Sequence, residues 1–304
     1  MKIDTLVLSG CSSKIPCYIG VFRYLFESGI LDESLQEVKE IITCSIGMLV
    51  SVYLLLGVNL KVQEAALLGS DFLKLIDIDN VNINDLVFNL GLFDNDLVSS
   101  LIKGVLREKY ETDNMTLQEL YELNPIKLTV KCVNVTKQCS EYLNHESDPD
   151  LSILTLLRMT TAIPLFYKPI QYKDDLYVDG GLSGGYPVEL GGKNYLGINI
   201  KSLEEMIHTD SIVHLIPLVS YIQSLMSTYS ISYDTLPEKY TITVISDIHF
   251  TDFNVPLDKK KQLIQLGYDT TKQHIEKYKI KNDNLLSLLS QTTRPVDKDP
   301  TEED

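Results

Sequence analysis

The stretch from Glu40 to Val50, EIITCSIGMLV, constrains the fold more than any other part of this sequence. It predicts a short buried strand, a sharp turn at Ser45, and then a helix that is apolar on nearly every face. A serine at such a turn has its hydroxyl exposed above a helix N-terminus, as in the nucleophile elbow G-x-S-x-G. Thr43 stands at the first glycine of that pattern. An ordinary helix start with serine as the N-cap fits the same residues.

The elements around this stretch predict an α/β fold. A strand within residues 2–9, a helix over 17–28 and a strand over 38–43 precede the Ser45 turn, which gives the order βαβα. That order predicts a mostly parallel central sheet with helices on its faces. Further strands are predicted over 126–135, 140–144, 168–172, 176–178, 195–200 and 240–245. Residues 60–120 are predicted to be mostly helical, with turns at 77–80 and at Gly91, and further helical stretches are predicted over 151–158, 203–233 and 257–278.

The chain shows no internal repeat and no linker rich in glycine and serine. We therefore expect one domain over residues 1–280. Residues 281–304 are polar, contain Pro295 and Pro300, and end in acidic side chains. This composition predicts a disordered acidic tail.

Charge and cysteine content narrow the function classes. The formal net charge of -15 argues against nucleic-acid binding, although a lipid can still bind through local apolar contact. The cysteine count of five is odd and no pair has CxxC spacing, which predicts reduced thiols and no metal site. No signal-peptide pattern and no apolar run of membrane-spanning length is found. We expect a cytoplasmic protein whose contact with membranes is peripheral.

Three stretches could together supply acyl-transfer chemistry. Ser45 could act as the nucleophile, and the small-residue loop Gly10-Cys11-Ser12-Ser13-Lys14 could present backbone N–H groups to an anion. Asp179-Gly180-Gly181 places a carboxylate at the end of a strand, before a tight turn. In a parallel sheet all three would reach the carboxyl edge, where sites form.

In this order and spacing the sequence resembles the patatin-like phospholipases. That family has a strand, an oxyanion loop G-G-G-x-K/R-G, a helix, a G-x-S-x-G elbow, and a distant D-G-G or D-G-A. The matching stretches here are 6–15, 43–47 and 179–181, and the resemblance extends over residues 3–278 through 91–94, 158–164, Phe253 and 266–268.

The resemblance implies a three-layer patatin-like fold and a lipid acyl hydrolase with a Ser45–Asp179 dyad. It places Gly10, Cys11, Ser12 and Lys14 in the oxyanion loop, and Gly47, Gly180 and Gly181 at the elbow and the dyad turn. It implies a lipid or ester substrate, met at a membrane surface, and no cofactor or metal. The oligomeric state stays open.

The sequence departs from the family pattern at four glycines. Cys11, Ser12 and Ile15 replace glycines of the loop, and Thr43 replaces the first glycine of the elbow. Side chains there can turn a backbone N–H away from the oxyanion. A second hypothesis is therefore a catalytically impaired protein of this fold that acts in binding or as a scaffold.

Each candidate residue also has an ordinary structural interpretation. Asp179 also suits a plain turn, Lys14 suits a solvated loop, and Cys44 is expected to be a small buried residue rather than a thiol nucleophile. A Ser–Asp–His triad is a further alternative. Four histidines follow Asp179 and could complete it: His208, His214, His249 and His274.

Overall fold

A computed structural model describes residues 2–69, 90–203, 238–249, 252 and 254–280. Its strands are β1 Thr5–Leu8, β2 Glu40–Cys44, β3 Gly91–Phe93, β4 Lys127–Asn134, β5 Cys139–Leu143, β6 Leu165–Tyr167, β7 Ile170–Tyr172, β8 Asp175–Asp179, β9 Tyr195–Ser202 and β10 Thr241–Ser246. Its helices are α1 Pro16–Glu27, α2 Gly47–Leu55, α3 Leu60–Gly69, α4 Asp96–Tyr110, α5 Leu117–Leu123, α6 Ile153–Thr160 and α7 Leu257–Tyr278.

Eight of these strands form one sheet. Its order is β10-β9-β1-β2-β4-β8-β7, and β5 pairs with β4 beside this path. The pairs β10–β9, β9–β1, β1–β2 and β2–β4 are parallel. The pairs β4–β5, β4–β8 and β7–β8 are antiparallel. The expected α/β architecture with a mostly parallel sheet is confirmed.

Alternate side chains of the central strands belong to two different clusters. Leu6 and Ile41 join the large core that contains the helices. Val7 and Ile42, which point to the other face, pack against side chains of the segment 186–195. That segment includes a short 3-10 helix, so the sheet lies between two covering layers.

Helices α1 and α7 pack together at close range. Pro16 begins α1, where its missing N–H costs no helical hydrogen bond, and Gly29 follows the helix with a φ of 68°. A Cβ atom on Gly20 would lie 1.8 Å from the Ile264 carbonyl oxygen. A Cβ on Gly267 would lie 2.1 Å from the Cys17 carbonyl oxygen. Glycine is therefore required on both sides of this helix contact.

Strand β4 brings the ends of two other strands together. β5 pairs with residues 130–134 of β4 and so occupies one edge of that strand. The other edge takes β2, whose last residue Cys44 lies opposite Lys131. The same edge then takes β8, whose last residue Asp179 lies opposite Cys132. The carboxyl ends of β2 and β8 therefore meet head to head along β4.

Two short strands were not expected from the sequence. β3 and β6 have three residues each and form a separate parallel pair. Three residues are too few for an alternating pattern to be visible, so the sequence predicted only a turn at Gly91 within a mostly helical stretch and missed the strand at 91–93. The predicted turn at 77–80, most of the helical stretch 203–233, and the acidic tail 281–304 lie outside the described residues.

Candidate active site

Ser45 occupies a strained turn between β2 and α2. Its φ is 51°, in the left-handed region that non-glycine residues avoid at a cost of about 1–2 kcal/mol. Such a conformation persists when neighbouring groups hold it, and it is typical of functional turns. The Ser45 backbone N–H donates to Thr160 Oγ1 at 2.7 Å, and that hydroxyl donates to the Lys131 carbonyl oxygen at 2.8 Å. Thr160 thus ties the turn to β4.

Asp179 faces the Ser45 hydroxyl. Ser45 Oγ donates to Asp179 Oδ2 at 2.7 Å, and the Gly181 N–H donates to Asp179 Oδ1 at 2.7 Å. The Asp179 N–H donates to the Ala162 carbonyl oxygen at 2.9 Å. Both carboxylate oxygens and the backbone of this residue are therefore fixed in place.

Burial sets the charge behaviour of Asp179, whose exposed fraction is 2%. It raises the pKa of the carboxyl group to about 6, against the lowering effect of the hydrogen bonds from Ser45 and Gly181. Ser45 itself is partly exposed. The pair therefore consists of an accessible hydroxyl and a buried carboxylate that can accept a proton near neutral pH.

Asp179 reaches Ser45 by a route that differs from the expected one. The sequence predicts Asp179 at the carboxyl edge of a parallel sheet. Strand β8 instead runs antiparallel to β4 and approaches Ser45 from the opposite direction. The expected proximity of Ser45 and Asp179 is observed, but it results from the head-to-head meeting of β2 and β8.

Gly10 packs directly against Ser45. A Cβ atom on Gly10 would lie 2.9 Å from Ser45 Cβ, so a larger residue would displace the loop or the serine. The Gly10 N–H donates to the Gly185 carbonyl oxygen at 2.8 Å. Gly10 therefore gives the 10–14 loop its close approach to Ser45, while its own N–H is already bonded.

The backbone conformation shows how the replaced loop glycines are accommodated. Cys11 has a φ of -147° and Ile15 a φ of -48°, and both values suit ordinary side chains. Ser12, by contrast, has a φ of 51°. Strain from a missing loop glycine is therefore confined to Ser12.

Thr43, at the altered elbow position, lies within β2 and pairs with Leu8 and Val130. It is not among the residues with positive φ, so this position needs no glycine for its backbone. A Cβ on Gly47 would lie 2.7 Å from Thr43 Oγ1 and 2.7 Å from the Ser9 carbonyl oxygen. The second elbow glycine is thus required by packing against Thr43 and β1.

Lys14 does not have the solvated position that is usual for a loop lysine. Its side chain is buried, and its Nζ donates to Ser202 Oγ at 3.1 Å, at the end of β9. Burial lowers the pKa of Lys14, while the nearby Cys11, Cys17 and Asp252 act to raise it. The Lys14 side chain therefore links the 10–14 loop to the carboxyl end of β9.

The Asp179 turn also packs closely against its neighbours. A Cβ on Gly180 would lie 2.2 Å from the Lys131 carbonyl oxygen and 3.0 Å from Cys44 Sγ. Burial raises the pKa of the Cys44 thiol well above its ordinary value, and the charge of Asp179 raises it further. Cys44 is a buried protonated thiol, as expected, and is poorly suited to act as a nucleophile.

Sequence reasoning missed the residues that hold this pair. Thr160, Ala162 and Lys131 are not exposed and contact the site through hydrogen bonds. The stretch 158–164 resembles a family segment, but its residue pattern predicts no role for it. Its role depends on the tertiary contact of α6 with the ends of β2 and β8.

Two of the four histidines of the triad alternative lie within the described residues. His274 Nε2 bonds to the Lys239 carbonyl oxygen, and the His249 backbone N–H donates to Asp252. His208 and His214 lie outside the described residues. Across the described ranges, no cluster of three His, Cys, Asp or Glu side chains could hold a metal ion. None of the helices described has the length and hydropathy needed to cross a membrane.

Three curated sequences are similar to the chain over long stretches. "Probable lipid hydrolase 463L" of Invertebrate iridescent virus 6 is 27% identical over 206 residues, which are 67% of this chain and 68% of that protein. "Uncharacterized protein R571" of Acanthamoeba polyphaga mimivirus is 25% identical and covers 91% of this chain and 95% of its own length. "Uncharacterized protein YqhO" of Bacillus subtilis (strain 168) is 23% identical, with 91% and 99% covered.

Solved structures share the fold. VipD from Legionella pneumophila superposes with a TM-score of 0.64 at 16% identity, over 91% of this chain and 67% of VipD. The type III effector protein ExoU of Pseudomonas aeruginosa superposes with a TM-score of 0.54 at 14% identity, over 96% of this chain. The chain spans 59% of the length of ExoU.

A family model described as patatin-like phospholipase matches residues 6–190 of the chain. The match includes the Ser45 turn, the 10–14 loop and the Asp179 turn. It extends over more than half of the sequence, and the superposed structures agree with it at the level of the fold. The chain belongs to the patatin-like phospholipase family.

Proposed function

We propose that the protein is a lipid acyl hydrolase, a phospholipase or esterase, with Ser45 as nucleophile and Asp179 as general base. The observation that carries this proposal is the 2.7 Å contact from Ser45 Oγ to Asp179 Oδ2, made by a serine with a φ of 51° at a strand-to-helix turn. A helix cap alone would not need a buried carboxylate at its hydroxyl. Family membership supports a lipid ester as the substrate.

In the first half of the reaction, Ser45 Oγ attacks the ester carbonyl carbon and Asp179 takes the hydroxyl proton. The tetrahedral intermediate collapses, the bond from the acyl carbon to the alcohol oxygen breaks, and Asp179 returns the proton to the leaving alcohol. In the second half, Asp179 removes a proton from water as the water attacks the acyl-enzyme. Ser45 then leaves with that proton, and a free carboxylic acid is released.

Backbone donors for the oxyanion come from two places in this proposal. Within the described residues, the N–H groups of Cys11 and Ile46 have no hydrogen-bond acceptor. Cys11 follows Gly10, which packs on Ser45, and Ile46 follows Ser45 itself. An N–H from the residue after the nucleophile and one from a neighbouring loop are the usual pair in hydrolase elbows.

The substrate and its location belong to the same proposal. The similar viral protein carries the printed name "Probable lipid hydrolase 463L", and we propose a lipid ester met at a membrane surface for this chain as well. With a net charge of -15, binding to such a surface would rest on local apolar contact rather than on long-range attraction. We propose that the protein acts inside the cell, on the basis of its cysteine pattern.

A second candidate function is binding or scaffolding by a catalytically impaired member. The observations in its favour are Ser12 at a φ of 51° and the Gly10 N–H, which is already bonded to Gly185. Both leave fewer well-placed donors in the 10–14 loop. One missing oxyanion donor lowers the rate about 100- to 1,000-fold.

The test is hydrolysis of a p-nitrophenyl ester and of a phospholipid by wild type, Ser45→Ala and Asp179→Ala. Ser99→Ala is the matched control, because Ser99 lies on α4 and its hydroxyl donates to the Asp96 carbonyl oxygen within that helix. We expect activity in wild type and in the control, and loss in the other two. Equal rates in all four proteins would overturn the proposal.

Labelling by a fluorophosphonate separates the two candidate functions. The reagent reacts with an activated serine, so wild type should be labelled and Ser45→Ala should not. A folded wild type that resists labelling would favour the binding or scaffold function.

A further inference from the structure

We infer that Lys131 is a positioning residue, which holds the candidate oxyanion loop and the Asp179 turn in register through its buried ammonium group. The inference rests on the proposed function and adds a residue to it. Lys131 lies on β4 opposite Cys44, the residue before Ser45. Its side chain is only 4% exposed, so its charge is almost fully removed from water.

The ammonium group has one acceptor for each of its three protons. Lys131 Nζ donates to the Ser183 carbonyl oxygen at 3.0 Å, to the Gly184 carbonyl oxygen at 3.1 Å, and to Glu189 Oε1 at 3.1 Å. Glu189 is also bonded by the Tyr142 hydroxyl, and the ammonium lies 5.8 Å from the centroid of that tyrosine ring. A buried lysine this completely satisfied fixes the groups that it contacts.

The acceptors of Lys131 lie on the backbone that joins the two halves of the site. Asp179 and the turn at Gly180 and Gly181 come just before Ser183 and Gly184 along the chain. The next residue, Gly185, accepts the Gly10 N–H at 2.8 Å. Gly10 in turn packs against Ser45. The Lys131 ammonium therefore fixes the segment 179–185, which begins with the proposed general base Asp179 and whose last residue, Gly185, bonds to the oxyanion loop at Gly10.

The backbone of Lys131 contributes to the same site from β4. The Lys131 carbonyl oxygen accepts from Thr160 Oγ1, which in turn accepts the Ser45 N–H. The same carbonyl oxygen lies so close to Gly180 that a Cβ atom there would be only 2.2 Å away. These backbone contacts do not depend on the identity of the side chain. The ammonium bonds to Ser183 and Gly184 do, so substitution of Lys131 can test the side-chain role alone.

The test compares Lys131→Met with Lys260→Met. Lys260 is also buried and donates to the carbonyl oxygens of Leu67 and Leu68 at the end of α3, so it is a control for loss of a buried ammonium. For Lys131→Met we expect kcat on a soluble ester and the rate of fluorophosphonate labelling to fall about 100-fold, which is the effect of one misplaced oxyanion donor. KM should change less than threefold. Lys260→Met should keep both rates within threefold of wild type.

A double variant covers the case in which Lys131→Met does not fold. Lys131→Met/Glu189→Gln removes both charges of the ion pair, so neither is left without its partner, and we expect the same loss of kcat from it. Either folded variant with kcat and labelling within threefold of Lys260→Met would overturn the inference.

Hydrogen exchange provides a readout that needs no catalytic activity. Peptides that contain Gly10 or residues 183–185 should exchange at least tenfold faster in the folded Lys131 variant than in Lys260→Met. Unchanged exchange in both peptides would overturn the inference, even if wild type proved inactive. Inactivity of wild type together with faster exchange would reject the proposed function and keep the positioning role of Lys131.

Discussion

The Ser45 hydroxyl lies 2.7 Å from Asp179 because the strands that carry the two residues end at neighbouring positions on the same edge of β4. Cys44 lies opposite Lys131 and Asp179 opposite Cys132. The contact is therefore set by strand register. Thr160, the last residue of α6, and Ala162, just beyond it, hold the two strand ends. Sites built on strands in this way are held more precisely than sites on loops.

The proposed base predicts an acid limb in the pH profile. Because burial raises the pKa of Asp179 to about 6, kcat/KM should fall about tenfold per pH unit below pH 6 and level off above it. Ester hydrolysis between pH 4.5 and 8, with product measured after transfer to alkaline buffer, checks this. His249→Gln and His274→Gln should leave the limb in place. A limb that disappears in either variant would assign the limb to that histidine.

The same pKa predicts that Asp179 destabilises the fold at neutral pH. The carboxyl pKa is about 6 when folded and about 4 when unfolded, so the folded state binds the proton more tightly between these values. Its contribution to the free energy of unfolding is therefore full below pH 4 and is lost as the pH rises through 6. The loss amounts to about 3 kcal/mol at most.

Asp179→Asn should accordingly be more stable than wild type at pH 8, by roughly 1–3 kcal/mol, while it loses activity. The gain should shrink towards zero at pH 4, where the wild-type carboxyl is protonated. Urea unfolding followed by circular dichroism at both pH values checks this. A gain that is equal at pH 4 and pH 8 would contradict the assignment of the effect to charge burial.

Thr160 should matter for catalysis although it has no role in proton transfer. Thr160→Val keeps the shape of the side chain but removes the acceptor of the Ser45 N–H and the donor to the Lys131 carbonyl oxygen. We expect kcat to fall about 10- to 100-fold and the free energy of unfolding to fall by about 1–3 kcal/mol, the cost of leaving a buried N–H unsatisfied.

The adjacent Thr161→Val is the matched control for this prediction. Thr161 Oγ1 donates to the Leu157 carbonyl oxygen within the same helix turn. Its loss should lower stability by a similar amount without a comparable loss of kcat. Similar kcat values for the two valine variants would show that Thr160 has only a structural role.

The sequence predicted local structure better than it predicted tertiary contacts. The helix predicted over 257–278 and the hairpin predicted over 168–172 and 176–178 are both found in the structure. The helix has a long apolar pattern and the hairpin a clear polar turn, and both are strong signals in a sequence. The strand β3 was missed because its three residues have no readable period. Glu189, the charged partner of Lys131, lies 58 residues further along the chain. The residues around Lys131 and around Glu189 give no sign in the sequence that the two side chains meet.

The positions where other residues replace the family's glycines also show what a sequence cannot reveal about backbone conformation. A glycine can be required for positive φ or for close approach, and the sequence does not say which applies. In the structure, Thr43, Cys11 and Ile15 stand where no positive φ is needed. Only backbone conformation distinguishes these tolerated replacements from Ser12.

Ser12→Gly should therefore stabilise the protein and raise its activity. At a φ of 51°, glycine avoids the left-handed penalty of about 1–2 kcal/mol, partly offset by its greater freedom in the unfolded chain, so we expect a net gain of about 1 kcal/mol. Relief of strain in the 10–14 loop should also raise kcat a few-fold.

Cys11→Gly is the control for this prediction. Cys11 has a φ of -147° and is buried, so glycine there should destabilise the protein by about 1 kcal/mol or more. Urea unfolding and ester hydrolysis of the two variants check this, and a destabilised Ser12→Gly would show that the serine side chain contributes more to the loop than its backbone strain costs.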